Sequence, residues 1–123
     1  HRFSLGKTAM SINEGLPKFI LNKLEKQYKL KNKIVGVLGL AFKSETDDIR
    51  DSLSIKLLQL LKSKRIKTLQ SDEFYKNKNN VSKKYLVKKS DIIILSTPHK
   101  AYKKLKIGKN KILIDAWGLI DQD

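Results

Sequence analysis

Lys43 and Arg50 stand on either side of Thr46-Asp47-Asp48, and four acids (Glu45, Asp47, Asp48 and Asp51) crowd round the arginine. The chain is otherwise strongly basic, with 27 lysines and arginines against 12 acids and a net charge of +15. Acids gathered at one place in such a chain have local work to do. Carboxylates beside an arginine hold its guanidinium through charge-assisted hydrogen bonds. A held guanidinium is a preorganised receptor for an anion such as a phosphate. On this reading the acids orient a cation and carry no acid–base chemistry. The same residues also read as a solvated loop whose aspartates cap the helix that follows.

His99 comes after Thr97-Pro98 at the end of an apolar run, and His1 is the only other histidine. A metal needs several ligands, and with no cysteine in the chain no metal site is read. His99 is read as a pocket-rim or loop-capping residue. Tyr102 covers the sheet or stacks on a base. Trp117 is part core and part pocket wall. Asp72 stands where dinucleotide folds hold a ribose, with turn capping as its other role. Gly36 and Gly39 give G-x-x-G, not the G-x-G-x-x-G that lets amides approach a pyrophosphate; close strand packing is the reading taken for them.

These side chains need a scaffold. Ile34 to Leu40 is almost wholly apolar, the mark of a strand buried on both faces. Asp51 or Ser52 caps a helix running to about Lys64, with Leu53, Leu57, Leu58 and Leu61 inward. Strands follow at Ile66–Leu69, Asp91–Ser96 and Lys111–Asp115, with helical turns at 82–89 and 100–105. Strands alternating with helices imply an α/β fold, a Rossmann-like parallel sheet with right-handed crossovers and flanking helices. The expected strand order is 2-1-3-4, half of a dinucleotide-type fold. The ends of strands 1, 3 and 4 then meet at one rim, bringing Phe42, Lys43, His99 and Trp117 together. Ahead of the first strand, residues 7–29 read as a helix with an apolar stripe through Met10, Ile12, Leu16, Phe19, Ile20, Leu24 and Tyr28. Pro17 predicts a kink or restart in it. This helix needs a surface to cover, on this domain or on a second copy.

With 123 residues, 40% of them hydrophobic, the chain can build one modest core. Its longest apolar run falls far short of the ~20 residues of a membrane span. No basic stretch leads into an apolar one at the start, so no signal peptide is read. The positive charge is almost all lysine, spread along the sequence; Arg2, Arg50 and Arg65 are the only arginines. Base readers favour arginine forks and stacking aromatics, so a solvated lysine surface is the main reading. A stand-alone basic module binding nucleotides or nucleic acid is the alternative.

GVLGLAFKSETDDIRDS, residues 36–52, closely resembles a segment of the UDP-glucose/GDP-mannose dehydrogenase family, G-x-x-G-x-(A/S)-F-K-x-x-T-D-D-x-R-x-S. AMSINEGLPKFI is similar to the end of that family's central helix, STPHKAYKKL to its T-x-H-x-x-(Y/F) segment, and ILIDAWGL to its V-D-x-W-x-L ending. The resemblance implies the C-terminal part of a cytoplasmic, NAD-dependent enzyme that oxidises a nucleotide-sugar to a uronic acid for polysaccharide synthesis. Residues 1–30 correspond to the end of the central dimerisation helix and 31–123 to the UDP- or GDP-sugar-binding domain. Phe42 and Lys43 correspond to substrate contacts, with Trp117 beside them, and Arg50 to the arginine that reaches the NAD pyrophosphate. Asp47 and Asp48 shape that loop, and Asn13 and Pro17 lie near interdomain and dimer surfaces. NAD is bound mainly by another domain of such an enzyme, so this piece is inactive alone. The implied partners are the nucleotide-sugar, the remainder of the enzyme and a second subunit through residues 7–29, with no nucleic acid and no membrane. Some members have an arginine just after the last strand; Trp117 stands near that place, which leans toward N-acetylated sugars. The 71–89 connection is short, so part of the nucleotide pocket is trimmed.

Overall fold

The computed structural model describes residues 2–3, 15–41, 43–50 and 52–115. Asn13, Phe42, Asp51 and Trp117 lie outside the described residues, as does the part of the first expected helix before Gly15. Among the described residues the sheet has five strands: β1 (Arg2–Phe3), β2 (Ile34–Leu38), β3 (Lys67–Ser71), β4 (Ile92–Leu95) and β5 (Ile112–Asp115). Their order is β1-β5-β4-β2-β3, and every neighbouring pair runs parallel. The four strands other than β1 stand in the expected 2-1-3-4 order. The two-residue edge strand β1, pairing Arg2 with Leu113 and Phe3 with Ile114, is an addition that no sequence period announces.

Side chains alternate across this sheet, as the two-residue strand period requires. Val35, Val37, Ile92, Ile94 and Ile114 enter one core, shared with helices α1 (Leu16–Gln27) and α2 (Leu53–Ser63). Leu38, Ile93, Leu95 and Leu113 enter the other, shared with α3 (Lys83–Lys89) and Tyr102 of the 3₁₀ turn Lys100–Tyr102. β4 is buried at all four positions because it has a helical layer on each face. Each fully buried Leu, Ile or Val contributes roughly 1.5–3 kcal/mol of transfer free energy.

Local chemistry sets the helix ends. Ser52 is extended and its hydroxyl accepts the Ile55 amide at 3.3 Å, so of the two expected caps, Asp51 and Ser52, it is Ser52 that caps α2. Ser82 caps α3 on Tyr85 in the same way, at 3.1 Å. The described part of α1 starts at Leu16, with Pro17 in its first turn, where the missing N–H costs nothing. Its Ile20, Leu21 and Leu24 are buried against this domain's own core, so α1 covers a face of its own sheet. Lys64 Nζ and Glu25 Oε1 join the far ends of α2 and α1 at 3.2 Å.

Gly36 packs where α3 comes closest. An added Cβ would lie 2.3 Å from Ser90 Oγ and 2.5 Å from Leu86 Cδ2. The close-packing reading of this glycine holds.

Candidate functional site

β2 delivers the chain to the carboxyl rim of the sheet, where open parallel sheets take their ligands. Gly39 turns there with φ +92°, and a Cβ on it would sit 2.4 Å from Thr97 Cβ. Beyond the turn the backbone is fastened in three directions. The Leu40 amide donates to Asp72 Oδ1 at 2.7 Å. Ser52 Oγ donates to the Leu40 carbonyl at 2.6 Å, and Thr97 Oγ1 to the Ala41 carbonyl at 2.8 Å. The expected meeting of the strand-1 and strand-3 ends is thus a set of hydrogen bonds from the residues after β4 and before α2.

The polar loop is held next. Ser44 Oγ donates to the Pro98 carbonyl at 2.9 Å, and the Glu45 amide donates to His99 Nδ1 at 2.9 Å. The Lys100 amide donates to Glu45 Oε2 at 3.1 Å. Lys43 stands exposed at the head of this loop. At its far end Arg50 is gripped by a two-pronged contact: Nε to Asp48 Oδ1 at 3.0 Å and Nη2 to Oδ2 at 2.8 Å. The Arg50 side chain is 87% exposed, so the oriented guanidinium faces solvent. Hydrogen bonds from the Arg50 side chain and amide, with the charges of Arg50 and Lys43, hold the Asp48 carboxyl down at about 2. Asp47 is exposed.

Beneath the loop lies a pair that sequence reasoning treated as two separate residues. His99 Nε2 meets Asp72 Oδ1 at 2.9 Å, both side chains 0% exposed. Asp72 Oδ2 accepts the amides of Phe74 and Tyr75, each at 2.8 Å. Burial pushes the Asp72 carboxyl up, but the His99 ring and the amides of Tyr75, Leu40 and Phe74 more than offset this and hold it at about 2. The rings of Phe74 and Tyr102 meet His99 edge-on at centroid distances of 5.0 and 5.5 Å. Loop capping is therefore the role His99 performs, and Tyr102, fully buried, covers the sheet and does not stack on a base. Burial, with the charges of Asp72 and Glu73, pushes its phenol well above the usual range. The available signal was positional: an acid just past β3 and a histidine just past β4 both sit beside the strand between them.

A groove of about 670 Å³ opens at the carboxyl end of β3, with Asp72, Glu73, Lys76, Asn77, Lys83 and Lys84 in its walls. A larger one, about 760 Å³, lies at the amino ends of the strands beside Lys29, Arg65 and Lys67. The carboxyl rim is the better candidate, because ligand sites of such sheets lie there. Among the described residues, no group of three histidines, cysteines or acids is placed to hold a metal ion. Nor is any helix among them long and apolar enough to cross a membrane.

Residues 36–122 match the UDP binding domain of the UDP-glucose/GDP-mannose dehydrogenase family. The chain is 32% identical to a UDP-N-acetyl-D-mannosamine dehydrogenase of Pyrococcus horikoshii, the match taking in 98% of this chain and 31% of that protein. It is 47% identical, over 45% of its length and 13% of the relative's, to a UDP-glucose 6-dehydrogenase of Haloferax volcanii. The structure of the UDP-D-ManNAc dehydrogenase from Pyrococcus horikoshii superposes with TM-score 0.75 at 30% identity, covering 90% of this chain and 29% of that one. The native structure of the UDP-N-acetyl-mannosamine dehydrogenase Cap5O of Staphylococcus aureus superposes with TM-score 0.79 at 22% identity, over 90% and 29% of the two chains, and bears on the fold alone. This chain therefore spans less than a third of the relatives it matches.

Proposed function

This chain belongs to the UDP-glucose/GDP-mannose dehydrogenase family, and from that premise we propose that it is the C-terminal, nucleotide-sugar-binding part of an NAD-dependent 6-dehydrogenase. The activity assigned to the whole enzyme is oxidation of the 6-hydroxymethyl of a UDP-sugar to a carboxylate, supplying a polysaccharide precursor. One observation carries the reading. The loop that bears Lys43 and the Asp48–Arg50 fork is hydrogen-bonded to the segment after β4, at the carboxyl rim where the ligands of parallel sheets dock, which supports a phosphate-binding role for its cations.

In this reading Lys43 supplies a point charge to the substrate diphosphate, with Phe42 and Trp117 beside the nucleotide. Arg50, aimed by Asp48, serves the pyrophosphate of NAD across the domain cleft, with Asp47 and Asn13 in support. This domain does not itself fit a dinucleotide cradle, because the Leu40 and Ala41 amides just past β2 already serve Asp72. NAD belongs mainly to residues outside this chain. The chain contains no cysteine to form a covalent adduct, so these residues bind and orient and do not oxidise. We assign residues 1–30, apart from the edge strand Arg2–Phe3, to the end of the central helix and 31–123 to the nucleotide-sugar domain, in a cytoplasmic homodimer joined through residues 7–29. Phe19, 44% exposed on α1, supports that dimer surface. The names of the relatives favour an N-acetylated sugar.

The test is a titration of the chain with UDP, GDP, a UDP-sugar and a short RNA at two salt concentrations. UDP is expected to saturate one site, and Lys43→Ala to weaken it by about tenfold, the order expected for a charged hydrogen bond. RNA binding that falls steeply with salt and ignores Lys43→Ala would replace this reading with a diffuse lysine surface.

A further inference from the structure

We propose that His99 is a positioning residue for nucleotide binding, its unprotonated Nδ1 being the fixed point from which the Lys43–Arg50 loop hangs. The inference rests on the reading that this loop takes the nucleotide diphosphate. The ring is 0% exposed, so it touches no ligand and acts only through the loop.

The tautomer follows from the partners. The Glu45 amide can only donate, so Nδ1, 2.9 Å away, accepts and carries no hydrogen. The ring proton is then on Nε2 and faces Asp72 Oδ1 at 2.9 Å. Asp72 is fixed in turn by the amides of Leu40, Ala41, Phe74 and Tyr75. Phe74 and Tyr102 pack edge-on against the ring. At the other end of the relay Glu45 has φ +60°, a left-handed conformation that a non-glycine residue keeps only when its surroundings hold it. The His99 bond to its amide and the Lys100 bond to its carboxylate supply that hold. Lys43 lies two residues before this point and Asp48 three residues after it.

Two substitutions separate the two ring nitrogens. His99→Gln places an amide near Nε2, keeping a donor for Asp72 and removing the acceptor for Glu45. His99→Asn places an acceptor near Nδ1 and removes the donor. The measurements are UDP affinity, the unfolding midpoint and hydrogen exchange of the Glu45 amide. His99→Gln is expected to keep most of the wild-type midpoint while UDP affinity falls about tenfold and Glu45 exchange quickens by a similar factor. His99→Asn is expected to lower the midpoint but, below it, to bind UDP and protect Glu45 nearly as the wild type does. The proposal fails if His99→Gln binds UDP as tightly as wild type, or if both variants lose affinity only in step with stability. Nitrogen NMR of the wild-type ring gives a check that needs no variant: a hydrogen on Nδ1 overturns the proposal. If the wild type binds no UDP, the reading of the site fails, and Glu45 exchange in the two variants alone decides the positioning claim.

Discussion

The amide of Leu40 donates to the carboxylate of Asp72 at 2.7 Å, across 32 positions of sequence. In dinucleotide folds the amides just beyond the first strand face a pyrophosphate, and glycines let the ligand approach them. Here an internal carboxylate accepts those amides, so the chain needs no third glycine and Phe42 stands in the sequence where one would fall. One built-in anion thereby joins the ends of β2 and β3 and, through His99, the segment after β4.

Asp72 makes stability depend on pH in a defined window. Its carboxyl lies near about 2 in the folded chain against 3.8 ordinarily. A depressed folded value means that the charged form is what the fold favours. The contribution is full above about pH 4 and is lost as pH falls from about 4 to about 2, and it amounts to about 2 kcal/mol. The difference in unfolding free energy between wild type and Asp72→Asn should be level from about pH 5 to 7 and shrink across that acid window. Asp48 titrates in the same range but is present in both proteins and cancels. Denaturant unfolding at stepped pH measures this, and a difference that ignores pH refutes it.

Gly39 and Gly36 should respond differently to alanine. At Gly39 the φ of +92° and the Thr97 backbone nitrogen, 2.7 Å from the added Cβ, leave nothing that can swing aside. At Gly36 the nearest atoms belong to the side chains of Ser90 and Leu86, which can shift at some cost. Overpacking of this kind costs about 1–3 kcal/mol, and the left-handed backbone adds about 1 kcal/mol or more at Gly39. Both variants should unfold at lower denaturant than wild type, Gly39→Ala by the wider margin. Equal losses would show that the turn tolerates a side chain.

The sheet was legible because its central strands are nearly unbroken apolar runs. Ile92–Leu95 is buried on both faces, as a parallel strand between two helical layers requires. The cap at Ser52 was legible because capping needs only residues close in sequence. β1 was not, since two residues carry no period. Nor was the His99–Asp72 contact, whose members lie 27 positions apart and which depends on strand order and register together. Within the candidate loop, the acids and the arginine announced a fork. That Asp48 supplies both prongs was settled by the backbone turn in which the Arg50 amide also donates to Asp48 Oδ1 at 3.0 Å.

α1 should be indispensable to this domain even if it also meets a second subunit. Leu24 is 0% exposed and packs with Leu57, Leu61 and Val35 in the core under the sheet. Leu24→Ala should therefore cost about 2–5 kcal/mol, as for other buried leucines. A helix serving only as a dimer contact would instead show a loss that depends on protein concentration. Unfolding the variant at two concentrations a hundredfold apart distinguishes the two, and a concentration-independent loss is expected.

The Asp48–Arg50 fork should matter to anions and hardly at all to folding. Both groups face solvent, and exposed ion pairs add little to stability, so Asp48→Asn and Arg50→Lys should leave the unfolding midpoint where it is. Their effect on an anion should be larger. The guanidinium presents a planar pair of donors that an ammonium cannot reproduce. Arg50→Lys keeps the charge but loses the fork, while Asp48→Asn keeps the arginine but loosens the grip at 2.8 Å. Pyrophosphate binding by the chain at low salt should weaken several-fold in each case. At an ionic strength near 1 M, where the Debye length is only about 3 Å, wild type and variants should converge. If Arg50→Lys binds pyrophosphate as well as wild type at low salt, the fork contributes charge alone and its geometry is incidental.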